Sequence, residues 1–165
     1  MKVTIIPAQP EHADDIAEVR TAAARALTAR YGKGHWSSES TANGVRTAIR
    51  RDRVYVALDG ARVVGAFQLG TRKPWAIDRA YFTPAARPLY LTGMAVHPDV
   101  QRHGIGRACV TAMREIAVAW PADAIWLDAY DAAAGAGGFY AACGFREVGR
   151  VVYKGNPLVY FEWRV

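Results

Sequence analysis

The sequence predicts an α/β fold, of the α+β mixed-sheet kind: one central mixed β-sheet with helices on both faces. Three observations predict it. Strand-like runs and helical stripes alternate along the chain. Hairpin signals flank a central strand–helix–strand unit. The 165 residues suffice for one hydrophobic core, so residues 1–165 read as a single domain. Composition excludes other classes. Hydrophobic residues make up 52% of the chain, too many for a disordered protein. No run of 18 uninterrupted apolar residues occurs, so no membrane-spanning helix is expected. The segment Met1 to Pro7 is too short and too soon broken for a signal peptide. Cys109 and Cys143 make neither a disulfide framework nor a metal cluster. No metal is therefore expected, and the expected location is cytoplasmic.

The elements follow in order. Val3–Ile6 is a short β-branched run, read as a strand and broken between Pro7 and Pro10. From Glu11 the pattern turns helical: Ile16, Val19, Ala23, Leu27 and Tyr31 form one apolar stripe. Acids lie early and arginines late, as the helix dipole favours. Gly32 and Gly34 end this helix. Ser37 or Ser38 is expected to cap a second helix carrying Ala42, Val45 and Ile49. Val54–Leu58 and Arg62–Leu69 are strands around Asp59-Gly60, a tight-turn signal. Gly70 to Pro88 is irregular, with three prolines and the aromatics Trp75, Tyr81 and Phe82. It is long for a structureless connection, which points to function or a hidden short element. Leu89–Val96 is a strand. Ile105, Cys109, Met113, Ile116 and Trp120 mark an amphipathic helix stopped by Pro121. Ala124–Ala129 is a strand and Phe139–Ala142 a short helix ending near Gly144. The Ala132–Gly138 run is poor in helix formers other than alanine, so that helix starts late. Glu147–Tyr153 and Leu158–Trp163 are strands joined by the turn Lys154 to Pro157. The last of these offers an edge for a homodimer.

The stretch from Val96 to Arg107 carries chemistry. It leaves a strand, turns through Gly104 and Gly106, and opens a helix. The first-turn N–H groups of a helix have no intrahelical partner, and together with the dipole they form an anion site. Arg102 and Arg107 add charge suited to phosphate. The physical reading is a pyrophosphate cradle. It is not a Walker A loop, because no Gly-Lys-Ser/Thr follows. It is not the dinucleotide fingerprint either, because position 109 is Cys where a third glycine is needed. Glycines alone fit a plain tight turn equally well.

The neighbouring residues decide between these. Leu91–Val96 followed by Gln101-Arg102-His103-Gly104-Ile105-Gly106 resembles the acetyl-coenzyme A motif of the GNAT N-acetyltransferase superfamily. The later segment Phe139-Tyr140-Ala141-Ala142-Cys143-Gly144-Phe145 resembles its C-terminal signature. The two occur in the right order with a strand between, and the element order is similar to that fold over nearly the whole chain. The resemblance implies acetyl-CoA as co-substrate and an acyl-CoA N-acyltransferase fold. It implies transfer of the acetyl group to a primary amine of a small molecule or peptide, by direct attack in a ternary complex. Met94, Ala95 and Val96 would hold the pantetheine arm through their backbone. Arg102, His103, Gly104, Ile105, Gly106 and Arg107 would wrap the pyrophosphate. Tyr140 would protonate the leaving thiolate, and Asp128 matches the position of a general base. The chemistry is coherent without the name: an ammonium acceptor must lose a proton, a thioester carbonyl needs a donor, and a thiolate leaves better near a phenol.

The sequence departs from the family pattern in two places. Ala133 stands where many members have Asn, and Leu89–Val96 contains no acid where many have Glu. These departures motivate an alternative, a non-catalytic acyl-CoA-binding sensor or regulatory module. Asp131 and water are rivals to Asp128 as base, and Asp128 could also simply face solvent. Cys109 lies on the apolar stripe and Cys143 beside a glycine, so neither reads as a nucleophile. Trp36, Trp75, Tyr81 and Phe82 are candidate walls of the acceptor pocket or covers of a sheet edge. Net charge is +6, and residues 60–107 hold a surplus of +5 against +2 before them and −1 after. The surplus ends in the proposed phosphate loop and forms no nucleic-acid module, so neither nucleic acid nor membrane is an expected partner.

Overall fold

A computed structural model describes all of residues 1–165. Its elements are β1 (Thr4–Pro7), α1 (Ala13–Tyr31), α2 (Ala42–Arg51), β2 (Arg53–Asp59), β3 (Arg62–Gly70), β4 (Pro88–Val96), α3 (Ile105–Ala119), β5 (Ala124–Tyr130), α4 (Gly137–Ala142), β6 (Arg146–Tyr153) and β7 (Asn156–Arg164). The chain divides into two compact units. One comprises Met1–Leu69 and Thr92–Met113, the other Gly70–Leu91 and Arg114–Val165. β4 and α3 each contribute one half to either unit. The seven strands form a mixed sheet in the order β1-β2-β3-β4-β5-β7-β6, as the sequence predicts.

In the first unit, β1, β2 and β3 are antiparallel neighbours. The Asp59-Gly60 signal is a tight hairpin, with Gly60 at φ 59° and Asp59 paired to Arg62. Val54, Val56, Val63 and Ala66 from these strands pack with Ile16, Ala17 and Val19 of α1 and Val45 of α2. The buried face of α1 is its first half. Tyr31, expected to continue the stripe, is 37% exposed. After Ala24 the helix projects Arg25, Ala26, Ala29 and Arg30 to solvent. The cap of α2 also differs from expectation. Thr41 Oγ1 accepts from Gly44 N at 3.1 Å, whereas the Ser37 hydroxyl is spent on Gly34 N at 3.0 Å and on Thr28 at 2.7 Å. A serine already bonded to a preceding turn cannot cap the next helix.

In the second unit, β4 runs parallel to β5 from Pro88↔Ala124 to Tyr90↔Trp126. β5 and β6 flank β7 in antiparallel fashion, so β7 is an interior strand and not the edge expected of it; β6 forms that edge. The β6–β7 turn is shorter than expected. Lys154 and Gly155 alone make it, at φ 49° and 76°, while Asn156 and Pro157 already pair within β7. These are the two positive-φ positions of a primed two-residue hairpin. The aromatics Phe82, Tyr90, Trp126 and Tyr160 pack with Ile77 as one cluster.

The irregular segment between β3 and β4 does hide an element, a 3₁₀ turn over Arg79–Tyr81. It is fastened at many points. The Tyr160 hydroxyl donates to the Ala76 carbonyl and accepts from Asp78 N. The Thr83 hydroxyl donates to Glu162 Oε1 at 2.6 Å. Asp123 accepts from the backbone N–H groups of Ala86 and Arg87. α4 starts late and spans only six residues. No helix of the chain is long and apolar enough to cross a membrane.

Candidate functional site

The first unit carries the glycine loop. β4 ends at Val96, and a 3₁₀ turn over Pro98–Val100 leads into Gln101 to Gly104. The loop is held by its own groups. Gln101 Nε2 donates to Val96 O at 3.0 Å. His103 Nδ1 lies 3.1 Å from Val100 O and 2.9 Å from Gln101 O. Carbonyls only accept, so this nitrogen carries the proton. His103, expected in the cradle, thus fastens the loop through Nδ1. His97 has a similar structural part, accepting Asp99 N at 3.2 Å.

Two residues here are left-handed, Arg102 at φ 65° and Gly104 at φ 83°. The second is easy for glycine; the first carries a cost for arginine and is a local strain. The first helical bond of α3 runs from Ala108 N to Gly104 O at 3.0 Å. The N–H groups of Ile105, Gly106 and Arg107 therefore precede the hydrogen-bond ladder. A Cβ built on Gly104 would meet nothing within 4 Å, so the loop borders open space. Arg102 and Arg107 are exposed, while the Ile105 side chain is 1% exposed. Ile105 can offer only backbone. Free N–H groups, a helix start, open space and two exposed guanidinium groups fit a pyrophosphate. Met94, Ala95 and Val96, all half-buried, form the strand leading to this loop.

The second unit carries the other candidates. On β5 side chains alternate, which puts Trp126, Asp128 and Tyr130 on one face. Asp128 stands opposite Tyr160 of β7. It is half-buried, and burial pushes its carboxyl above the ordinary aspartate range with no compensating partner. Burial raises the Tyr130 phenol as well, and the Asp128 charge adds to this. The rival Asp131 is tied up, paired to Arg150 at 3.1 Å. Tyr140 on α4 is 7% exposed. Its ring meets those of Phe139, Phe145 and Phe161 at centroid distances of 5.2, 5.6 and 6.2 Å. The small helix is thereby anchored on β7. Cys109, 0% exposed, has its thiol pushed up to about 12 by burial, which rules out a thiolate at neutral pH. Cys143 is buried too.

The four aromatic candidates for the acceptor pocket separate. Trp75, 90% exposed, and Tyr81, 44% exposed, line a cleft of about 360 Å³ with Asp78, Tyr153 and Tyr160. Phe82 does not join them. It is 4% exposed and stacks on Trp126 at 4.4 Å, a core position. Trp36 lies in the other unit, its Nε1 donating to Gly32 O at 3.0 Å and its ring folded over Gly34. It closes the connection between α1 and α2.

Sequence reasoning misses three residues. Glu162 is 1% exposed and paired to Arg146 at 2.6 Å. Burial pushes its carboxyl up, but the hydrogen bonds from Arg146 and Thr83 prevail and hold it below the ordinary glutamate range. Arg20 and Gly93 meet through a hydrogen bond of 3.1 Å. Signals for the latter pair were present: Arg20 sits four residues after Ile16 on the apolar side of α1, and Gly93 interrupts a strand pattern.

Comparison with known proteins bears on the family and the fold. The family model of the acetyltransferase (GNAT) family matches residues 18–145. No curated protein sequence matches this one. Among solved structures, an N-acetyltransferase from Staphylococcus aureus Mu50 is similar with TM-score 0.74 at 16% identity, over 99% of both chains. A Salmonella typhimurium protein solved with its cofactor acetyl-CoA gives 0.72 at 17% identity, over 98% of this chain and 93% of that one. A Bacillus subtilis acetyltransferase in complex with CoA gives 0.67 at 18% identity, over 99% of both. Identities this low speak for the fold alone, whereas the family model spans most of the chain, and on that ground the chain belongs to the GNAT acetyltransferase family.

Proposed function

We propose that the chain is an acetyl-CoA-dependent N-acetyltransferase whose acceptor is a primary amine of a small molecule or peptide. The observation that carries the reading is the left-handed pair Arg102 and Gly104 delivering the free N–H groups at the start of α3. Those groups, with Arg102 and Arg107, take the pyrophosphate, and the backbone of Met94–Val96 takes the pantetheine arm. The coenzyme supplies an acetyl group activated as a thioester. Asp128 takes a proton from the acceptor ammonium, directly or through water, and burial makes its carboxylate a stronger base than an ordinary aspartate. As the N–C bond forms and the C–S bond breaks, the Tyr140 phenol donates its proton to the departing sulfur, and the second proton that the nitrogen sheds on becoming an amide restores the phenol by way of solvent. No covalent bond to the protein is needed. Trp75 and Tyr81, set in the cleft with Asp78, suit an acceptor that joins a cationic amine to an apolar body.

Calorimetry with acetyl-CoA tests the binding half; no heat at millimolar coenzyme would end the proposal. Release of free thiol across a panel of amines tests transfer. Tyr140→Phe should lower kcat by about a hundredfold, within the range for one proton donor, with little change in coenzyme affinity. Tight binding with no transfer to any amine would favour a regulatory acyl-CoA sensor, the reading that Ala133 and the acid-free β4 support.

A further inference from the structure

Gly93 is a break in β4. It sits inside the strand at φ 59°, a backbone state that glycine adopts freely and that marks bulges within strands. The next three residues are Met94, Ala95 and Val96, the strand read above as the pantetheine-binding one. The break is held from α1. Arg20 Nε donates to the Gly93 carbonyl at 3.1 Å, and Arg20 Nη2 donates to Gln68 Oε1 at 3.4 Å. Gln68 Nε2 in turn donates to Asp52 Oδ2 at 3.3 Å. A Cβ built on Gly93 would lie 2.5 Å from Arg20 Nη2 and 2.9 Å from its Cζ. The guanidinium thus occupies the space of the missing side chain.

This arrangement is costly for a purely structural contact. Burial lowers the Arg20 pKa, and no carboxylate pairs with it to offset the loss of water. Its partners are neutral oxygens. A desolvated cation bound only to neutral groups is a poor source of stability compared with an apolar side chain of similar size. What the fork provides instead is direction: two donors in one rigid plane fix both the carbonyl of Gly93 and the amide of Gln68 on β3.

We propose that Arg20 is a positioning residue for the coenzyme: by holding the Gly93 carbonyl it sets the course of β4, and so aims the backbone groups of Met94–Val96 at the pantetheine arm. The proposal rests on the coenzyme reading given above. Arg20 acts through the strand and touches no reacting atom.

Two ligands separate this role from general damage to the fold. Acetyl-CoA contains the pantetheine arm; ADP carries the pyrophosphate and no pantetheine. In Arg20→Met, acetyl-CoA affinity should fall about tenfold, the value of one charge-assisted hydrogen bond, while ADP affinity stays within about twofold of wild type. Arg20→Lys keeps charge and stem with one donor point and should recover part of the loss. It also carries the comparison if Arg20→Met does not fold. Gly93→Ala should mimic Arg20→Met, and the double variant should lose less than the sum of the two. Unchanged acetyl-CoA affinity in Arg20→Met overturns the proposal, and equal losses for both ligands reduce Arg20 to a structural residue. Wild-type protein that binds ADP but not acetyl-CoA, or neither, overturns the coenzyme reading itself and the proposal with it.

Discussion

Asp128 is a carboxylate placed where its own ionisation is unfavourable. Its pKa is raised by burial alone, and the sign of the consequence is fixed by linkage. The folded state holds the Asp128 proton more tightly than the unfolded one. Stability is therefore full below the ordinary aspartate pKa and declines as pH rises through the folded value. An amide in its place has no charge to bury. Asp128→Asn should melt at the same or a higher temperature than wild type at pH 7–8, and yet lose about a hundredfold in kcat if the carboxylate is the base. In wild type kcat/KM should fall as pH drops through the raised pKa. Thermal melts and a pH–rate profile check both; an unchanged kcat in Asp128→Asn would remove it from the mechanism. Period-two alternation places Asp128 on the Trp126 face of β5 from sequence alone. The partnership of Arg20 with Gly93 is different in kind. It joins residues 73 positions apart, and no local pattern reports the direction of a guanidinium.

Among the elements, the segment between β3 and β4 shows where sequence legibility stops. Its length, prolines and aromatics announce a purpose or a hidden short element, and a 3₁₀ turn is what it hides. What pins it was not readable, because the fasteners are remote. Glu162 reaches Thr83 and Arg146 only once β6 and β7 have paired, with Arg146 opposite Glu162. The same holds for Phe82, whose neighbour Tyr81 lines the cleft while it stacks in the core. Helix caps fail for a nearer reason: four hydroxyls, those of Ser37, Ser38, Ser40 and Thr41, compete between α1 and α2, and geometry rather than type selects Thr41. Glu162 supplies a test of the pinning. Its folded pKa is held below the ordinary value, so its contribution is present above about 4.5 and is lost as pH falls through the folded pKa. Glu162→Gln should cost about 2 kcal/mol at pH 7, the range for hydrogen bonds to a charged group. That is about 5 °C in Tm for a chain of this size. The gap between variant and wild type should close towards pH 3; a gap independent of pH would show that the charge of Glu162 is not what holds the loop.

Taken as one body of charge, the chain has a net +6, with most of the surplus between residues 60 and 107. The structure divides that surplus into two uses. Lys73 Nζ donates to the carbonyls of Pro74 and Ile77 at 2.9 and 2.7 Å. Arg79 donates to Ala85 O at 3.2 Å and lies over the Trp126 ring, with its Cζ 5.2 Å from the centroid. These cations hold a loop together and are not a docking face. Arg62 lies 3.7 Å from Asp99, an exposed pair of small consequence. Arg102 and Arg107 remain at the glycine loop, exposed and without an ion pair, as the free charge suited to a polyphosphate. Their effect should be read in salt. The Debye length shortens from about 10 Å at 0.1 M to about 3 Å at 1 M, so salt weakens attraction between exposed charges. Acetyl-CoA affinity should therefore fall as salt rises. In Arg102→Ala/Arg107→Ala the affinity should be lower and its salt dependence flatter. In Arg72→Ala/Arg87→Ala, exposed arginines outside the loop sequence, both should match wild type. Equal salt slopes in all three proteins would mean that the surplus acts as a diffuse field over the molecule, and that the glycine loop binds through its backbone alone.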